Sequence, residues 1–333
     1  MTTHTVSAVG SVVESLITAD VGDRGAVGPI VGAMSRLDES GEPPVAAAAT
    51  GLAETIDEGD TVVVLAGFPI PPGMVHETDG PAGAVSLARA LDVGLGANVV
   101  LACEPTATDI CAATARAGGL HVDDRAVAFE HDRALSVEPF PTEPEDARTY
   151  AADLLDLDPT AVVAVEKAGP NRRGVYHNLT GRDISEHAAE VGPLYDRLED
   201  PLTVAVGDGG NEVGMGAVAS EIREQIPHGD SCQCECGSGI TCDITTDLLV
   251  PAAVSNWGAH GVVACLSVVL DRLLLHDPDI ERRMLVEGSL AGAIDGITGG
   301  TEGNCDGLSP DTHAAMVRLL GETAASFGVS SDW

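Results

Sequence analysis

Lysine is almost missing from this chain: among 333 residues it occurs once, as Lys167. Bases of both kinds number 17 against 52 acids, a formal net charge of -35 at pH 7. No basic stripe exists to neutralise a phosphate backbone, which excludes nucleic acid as a partner. Aromatic side chains are also scarce, at 3% of residues, so small Ala, Val and Gly must fill the core. No apolar run reaches the ~20 residues that a membrane-spanning helix requires. The first residues, MTTHTVSAVGSVVESLITAD, have no basic region ahead of their apolar positions and carry Glu14 and Asp20. They predict a soluble helix in place of a signal peptide, and with it a cytoplasmic location.

What is present is acid, spread along the whole chain over an ample apolar content of 44%. Such composition excludes disorder. Self-repulsion at this charge opposes compaction. Adaptation to high salt, where screening removes the repulsion, accounts for it, and for arginine replacing lysine. The charge then describes the solvent and not the substrate. In a reducing compartment the eight cysteines are read for burial or metal before disulfides.

Short β-branched runs alternate with longer helical ones. Strands are predicted at Thr61–Ala66, Ala97–Ala102, Arg125–Phe129, Ala161–Val165, Leu202–Val206 and Leu248–Val250. Nearly continuous apolar runs of this length suit strands buried on both faces. Helices are predicted at Gly80–Asp92, Thr106–Ala117, Glu145–Leu157, Glu212–Gln225, Trp257–Leu275 and Pro310–Phe327. The alternation implies an α/β fold with a mostly parallel sheet flanked by helices. The whole chain reads as a single domain, with Pro139–Pro144 as a candidate hinge between lobes at 1–140 and 141–333. Residues 226–243 read as a Cys-rich insertion.

Sites in such folds gather in loops after the strand C-termini, and four stretches stand there. GDGGNEVGMG (Gly207–Gly216) is neither a dinucleotide fingerprint nor a P-loop, since Glu212 replaces the third glycine and no Gly-Lys-Ser/Thr ends it. Asp208 and Glu212 beside Asn211 suit a hard cation, Mn²⁺ or Mg²⁺; one of them capping the next helix is the plain alternative. GFPIPPGMVHETDGPAGA (Gly67–Ala84) ends in Glu77 and Asp79, which are either helix-capping acids or further metal ligands. EKAGPNRRGVYHNLTGRDIS (Glu166–Ser185) gathers Lys167, Arg172, Arg173 and Arg182, with Asn171 as a polar contact. It predicts an anion clamp or local charge compensation. Lys167 itself either holds an anionic substrate group or makes a structural ion pair with Glu166 or another carboxylate. AAVSNWGAHG (Ala252–Gly261) offers Ser255 and Asn256 at a strand-to-helix junction. No G-x-S-x-G surrounds Ser255, so a helix cap or substrate contact is expected there. Cys232, Cys234, Cys236 and Cys242, with His228 upstream, are candidates for zinc or an iron–sulfur centre, or for reduced loop thiols.

In their order along the chain, GFPIPPGMVHETDGPAGA, EKAGPN with GRDIS, GDGGNEVGMG and TDLLVPAAVSNWG resemble the C-terminal domain family of D-glutamate cyclase. The resemblance spans Gly67–Gly258. It implies an α/β fold, an acidic metal-capable pocket built from these loops, and conversion of D-glutamate to 5-oxo-D-proline with loss of water. The family's mitochondrial member carries an additional N-terminal domain, resembling a hydro-lyase family, for which this length leaves no room. The Cys232–Cys242 segment departs from the family pattern.

Three readings follow. In a cyclase, Lys167, Asp208 and Glu212 would be catalytic, with Arg182, Asn171, Asn211, Ser255 and Asn256 on the substrate and Glu77, Asp79, Asp208 and Glu212 on the metal. In a Mn/Mg-dependent phosphatase the same acids would hold ions against a small phosphorylated metabolite. A non-catalytic module would bind an acidic amino acid without turning it over. The expected partner is a small acidic or phosphorylated metabolite, with a homo-oligomer allowed and no membrane contact.

Overall fold

The computed structural model describes residues 3–37 and 41–329. Its strands are β1 (Thr61–Leu65), β2 (Pro69–Ile70), β3 (Val75–His76), β4 (Asn98–Cys103), β5 (His121–Val122), β6 (Ala134–Pro139), β7 (Ala161–Val165), β8 (Leu202–Gly207) and β9 (Leu248–Pro251). The helices are α1 (Thr3–Ile17), α2 (Val27–Leu37), α3 (Pro44–Thr55), α4 (Pro81–Leu95), α5 (Thr108–Ala117), α6 (Arg125–Ala128), α7 (Pro144–Leu155), α8 (Gly192–Tyr195), α9 (Ala219–Gln225), α10 (Ser255–Val269), α11 (Pro278–Leu290) and α12 (Pro310–Ser326).

Seven strands form one sheet in the order β5-β6-β4-β1-β7-β8-β9, and every pairing in it is parallel. β2 and β3 make a separate antiparallel pair in the loop after β1. The chain builds outward from β1 through β4 on one side, then returns to lay β7, β8 and β9 on the other. The order therefore reverses between β1 and β7, and their C-terminal ends open a crevice. Pro139–Pro144 joins β6 to α7, and strands from both sides of it share the sheet.

The strand runs are continuously apolar because each face is covered. Successive side chains alternate faces: Val62, Val64, Val99, Leu101, Val163 and Val206 enter one core, while Val63, Leu65, Val100, Ala102, Val162 and Ala205 enter the other. The first core is packed by α1, α3, α4, α10 and α12. At its centre α10 is buried from Ser255 to Val268, which explains why its sequence shows no polar stripe.

One predicted strand is not there. Arg125–Phe129 begins with the helical turn α6, and the strand follows at Ala134–Pro139. RAVAF holds one β-branched residue among good helix formers, and Asp124 precedes it with extended backbone as a helix entry does. The helix expected from Glu212 starts late, as a 3₁₀ turn at Met215–Val218 followed by α9, because residues 207–216 are committed to a glycine-rich turn.

α4 and α10 approach closely at Gly83. A Cβ there would lie 2.8 Å from the Asn256 Cα and 3.0 Å from the Ala259 Cβ. Backbone cannot yield as a side-chain tip can, so Gly83→Ala should destabilise the protein by about 1–3 kcal/mol. Chemical denaturation checks this; an unchanged midpoint would mean that the two helices separate freely.

Candidate functional site

The loop after β1 turns into α4 at Thr78-Asp79-Gly80. The loop after β9 turns into α10 at Ser255-Asn256. The two helix starts complete each other. Asp79 accepts the backbone N–H groups of Ser255 and Asn256, each at 2.8 Å. The Asn256 Oδ1 accepts those of Gly80 and Gly83 at 3.1 and 2.6 Å, while its Nδ2 donates to the Thr78 carbonyl at 3.1 Å. Each helix start thus receives side-chain caps from residues at the other's start, and Asp79 also accepts the Gly80 N–H at 3.0 Å. Ser255 is then placed so that its Oγ donates to Glu166 at 2.5 Å.

Above these turns lies a cavity of about 140 Å³ at the C-terminal ends of β1, β7 and β8. Glu77, Asp79, Glu166, Asp208 and Asp306 line it, with Arg24 as its single basic residue; Phe68, Ile70, Leu179 and Ile297 add apolar wall. Arg24 holds Asp208 with both terminal nitrogens, at 2.6 and 3.3 Å, and also bonds Asp306. Burial alone would lower the guanidinium pKa, but Asp208 and Asp306 hold it above its ordinary value.

The carboxylates are crowded and dry, and most shift accordingly. Burial raises Asp79 to about 6, with Asp208 adding to the effect and the N–H groups of Asn256 and Ser255 opposing it. Burial and the neighbouring acids push Glu77, Glu166 and Asp306 well up. Asp79, Glu166 and Asp208 each offer an oxygen within 4.8 Å of the others. Buried, hard oxygen donors with too little positive charge among them fit a divalent cation such as Mn²⁺ or Mg²⁺.

The residues expected from sequence divide three ways. Glu77, Asp79, Asp208 and Asn211 line the cavity. Ser255 and Asn256 stand directly behind it. Glu212 folds back on its own turn, accepting the N–H groups of Gly209 and Gly210 at 2.7 Å each. Burial and Asp208 raise its pKa to about 7. Arg182 is exposed. Asn171 organises its own loop, accepting from Arg173 and Val175 at 2.9 and 3.1 Å, and lines a wider open groove with Arg148, Arg172 and Arg197. Cys232, Cys234 and Cys236 gather around His177, whereas Cys242 stands apart, its sulfur accepting the Ile244 N–H at 3.3 Å. His228 faces the Ser231 carbonyl.

Lys167 is fully buried and paired with Glu104, which is equally buried. Its ammonium also reaches the carbonyls of Ala66 and Gly67, both at 3.3 Å. The same Glu104 oxygen accepts the Ala189 N–H at 3.1 Å. The pair ties the end of β1 to the end of β4 and to the segment before α8. The ion-pair alternative raised by the sequence holds, with Glu104 and not Glu166 as partner.

Arg24, Glu166 and Asp306 were not assigned to the cavity by sequence. Glu166 was visible only as a neighbour of Lys167. Asp306 belongs to the segment between α11 and α12, which covers the site: the Thr78 N–H donates to the Ile294 carbonyl of this segment, and the Ile294 N–H donates to the His76 carbonyl, at 2.9 Å each. Its density of glycine and acid outside any element, in AGAIDGITGGTEGNCDG, is the signal that could have marked it.

Fold and site define a doubly wound α/β protein with a carboxylate-lined cavity at its switch point. The chain belongs to the D-glutamate cyclase-like, C-terminal family, whose model matches residues 13–321. It is similar to the mitochondrial D-glutamate cyclase of Homo sapiens, at 29% identity over 275 residues, which are 79% of this chain and 39% of the relative. The chain thus spans about two fifths of the length of that relative. No helix among the described residues is long and apolar enough to cross a membrane.

Two measurements test the electrostatics. Lys167→Met leaves Glu104 charged and dry, and should cost about 3–5 kcal/mol. Adding Glu104→Gln should restore most of it; a double variant as unstable as the single one would disprove the pairing. The raised carboxylates make metal-free protein most stable below their unfolded values near 4. That stability is lost as pH rises through the folded values, about 6 for Asp79 and about 7 for Glu212. In EDTA the melting temperature should therefore fall between pH 5 and 8, by about 2–4 °C for each kcal/mol lost. Mn²⁺ should raise it more at pH 8 than at pH 5, and equal gains at both would contradict this.

Proposed function

We propose that the chain is a D-glutamate cyclase-like enzyme, converting D-glutamate to 5-oxo-D-proline and water in the cavity between Arg24 and the five carboxylates. The observation that carries this reading, beside family membership, is the sign of the cavity. Five acids against one guanidinium suit a ligand bearing an ammonium group, together with a divalent cation to accept its carboxylates. Apolar Phe68, Ile70, Leu179 and Ile297 suit the methylene chain between them.

Asp79, Glu166 and Asp208 would hold the cation, which when bound supplies positive charge to polarise the γ-carboxyl group. Arg24 orients Asp208 and Asp306. Ser255, donating to Glu166, and the helix starts, donating to Asp79, fix the other two carboxylates. Glu77 is the cavity acid whose side chain carries no hydrogen bond among the described residues. Burial and the neighbouring Asp79 and Asp208 raise its pKa, which makes it a stronger base toward the substrate ammonium than a free carboxylate. The freed amine attacks the carbon of the γ-carboxyl group, one of that carbon's bonds to oxygen breaks, and both protons shed by nitrogen leave with that oxygen as water. Asp208 and Glu212, expected to be catalytic, are less suited to take this proton, since Arg24 holds one and two glycine N–H groups hold the other.

A phosphatase would place a multiply charged anion among these acids with Arg24 as the only basic side chain, so it requires more than one cation. A binding module would need no Glu77. Assays in molar salt with Mn²⁺ separate the three readings. Oxoproline should form from D-glutamate and not from L-glutamate, and no phosphate should be released from a phosphate ester. Glu77→Gln should lower turnover about 10²–10⁴-fold with Mn²⁺ binding kept, and Asp208→Asn should abolish that binding. No oxoproline from Mn²⁺-loaded protein would reject the cyclase, and unaltered Mn²⁺ affinity in Asp208→Asn would reject the ligand set.

A further inference from the structure

Behind the cavity wall lies a cluster that the proposed reaction does not use. His177 is fully buried. Its Nε2 lies 3.2 Å from the Cys234 sulfur and 3.6 Å from that of Cys236. The Cys232 sulfur is 3.3 Å from each of those two sulfurs, and all four atoms fall within 4.8 Å of one another. These separations are far beyond the ~2.05 Å of a disulfide bond, and the three thiols are free. With Zn–S of about 2.3 Å and Zn–N of about 2.0 Å, the edges of a tetrahedron are roughly 3.5–3.8 Å. The four atoms are thus spaced, slightly contracted, as ligands of one ion.

We propose that His177, Cys232, Cys234 and Cys236 form a closed site for one structural Zn²⁺, independent of the carboxylate cavity. Its surroundings agree. The Val175 carbonyl lies 3.1 Å from the His177 Nδ1, which places the ring proton there and turns the Nε2 lone pair to the sulfurs. Asn171 donates to the Cys236 sulfur at 3.4 Å, and the Cys236 N–H donates to the Cys234 sulfur at 3.4 Å. Such donors offset the negative charge of three thiolates on one dication. An iron–sulfur cluster would spread its thiolates over several irons, whereas these converge on one point. Cys242 takes no part, and a histidine 55 or more positions upstream of the cysteines completes the set, which C-x-C-x-C spacing alone does not reveal.

The site also has a consequence for the cavity. The His177 carbonyl accepts from Asn211 at 2.7 Å, and the Gly181 carbonyl accepts the Gln233 N–H at 2.8 Å. Between them Asn178, Leu179 and Thr180 form one side of the cavity. The ion therefore pins the Cys-rich segment to the strip of chain that walls the carboxylates.

Elemental analysis of the full chain, purified without added metal, should find about one Zn²⁺ per chain that survives EDTA dialysis and is released by a mercurial thiol reagent. Co²⁺ substitution should give sulfur-to-cobalt charge-transfer bands and the intense visible bands of a tetrahedral ion. Cys234→Ser should leave less than about a tenth of the zinc, and Asn171→Ala should weaken zinc affinity about 10-fold. Cys242→Ala and Asp208→Asn should keep the ion, which separates this site from the cavity. Substoichiometric zinc with no thiolate–cobalt bands in the unaltered protein would overturn the proposal, as would iron with acid-labile sulfide, or full zinc retention by Cys234→Ser. Should Cys234→Ser not fold, the cobalt spectrum of the unaltered protein decides.

Discussion

Two helices that cap each other hold this site together. Asp79 closes the first turn of α10 and Asn256 closes that of α4, so neither helix start is complete without the other. Each cap contributes about 0.5–2 kcal/mol, and a carboxylate at a helix N-terminus gains from the helix dipole. The exchange fixes more than two helices. It sets the position of Ser255 beneath Glu166, keeps Gly83 against the Asn256 backbone, and aligns the loops after β1, β7 and β9 over one crevice. Asp79 is thereby both a structural cap and a cavity carboxylate, which is why its burial with other acids is tolerated.

The second constraint is charge. On an acidic surface in salt, repulsion is screened; inside a cavity it is not. Five carboxylates around one guanidinium leave an excess that must be met by protonation or by an added cation. The shifts of Asp79, Glu77, Glu166 and Asp306 record the first response. The geometry of Asp79, Glu166 and Asp208 suits the second. Glu104 stands outside the cavity and pairs with the equally buried Lys167, 63 residues away in sequence.

The parallel sheet was legible in sequence because both its faces are buried, leaving uninterrupted runs such as AVVAV and TVVVL. The loops after β1 and β8 were legible because strand-end position and acid density coincided there. What sequence could not show was pairing at a distance. Arg24 joins Asp208 and Asp306 across 184 and 282 residues, and no local pattern encodes that. The same holds for Glu104, whose partner lies in another loop, and for His177, far upstream of the cysteines it faces. Asn171 and Arg182 read as a ligand clamp from their cluster of polar and basic types; in the fold Asn171 accepts two N–H groups of its own turn and Arg182 is exposed.

The burial of Lys167 also governs the covalent chemistry open to this chain. It carries the only side-chain amine in the sequence, and that amine is fully enclosed against Glu104. Acylating, carbamylating and cross-linking reagents that seek lysine find no side-chain target while the strand ends stay closed. The rate at which Lys167 reacts would then count openings of the fold itself, with no background from surface lysines.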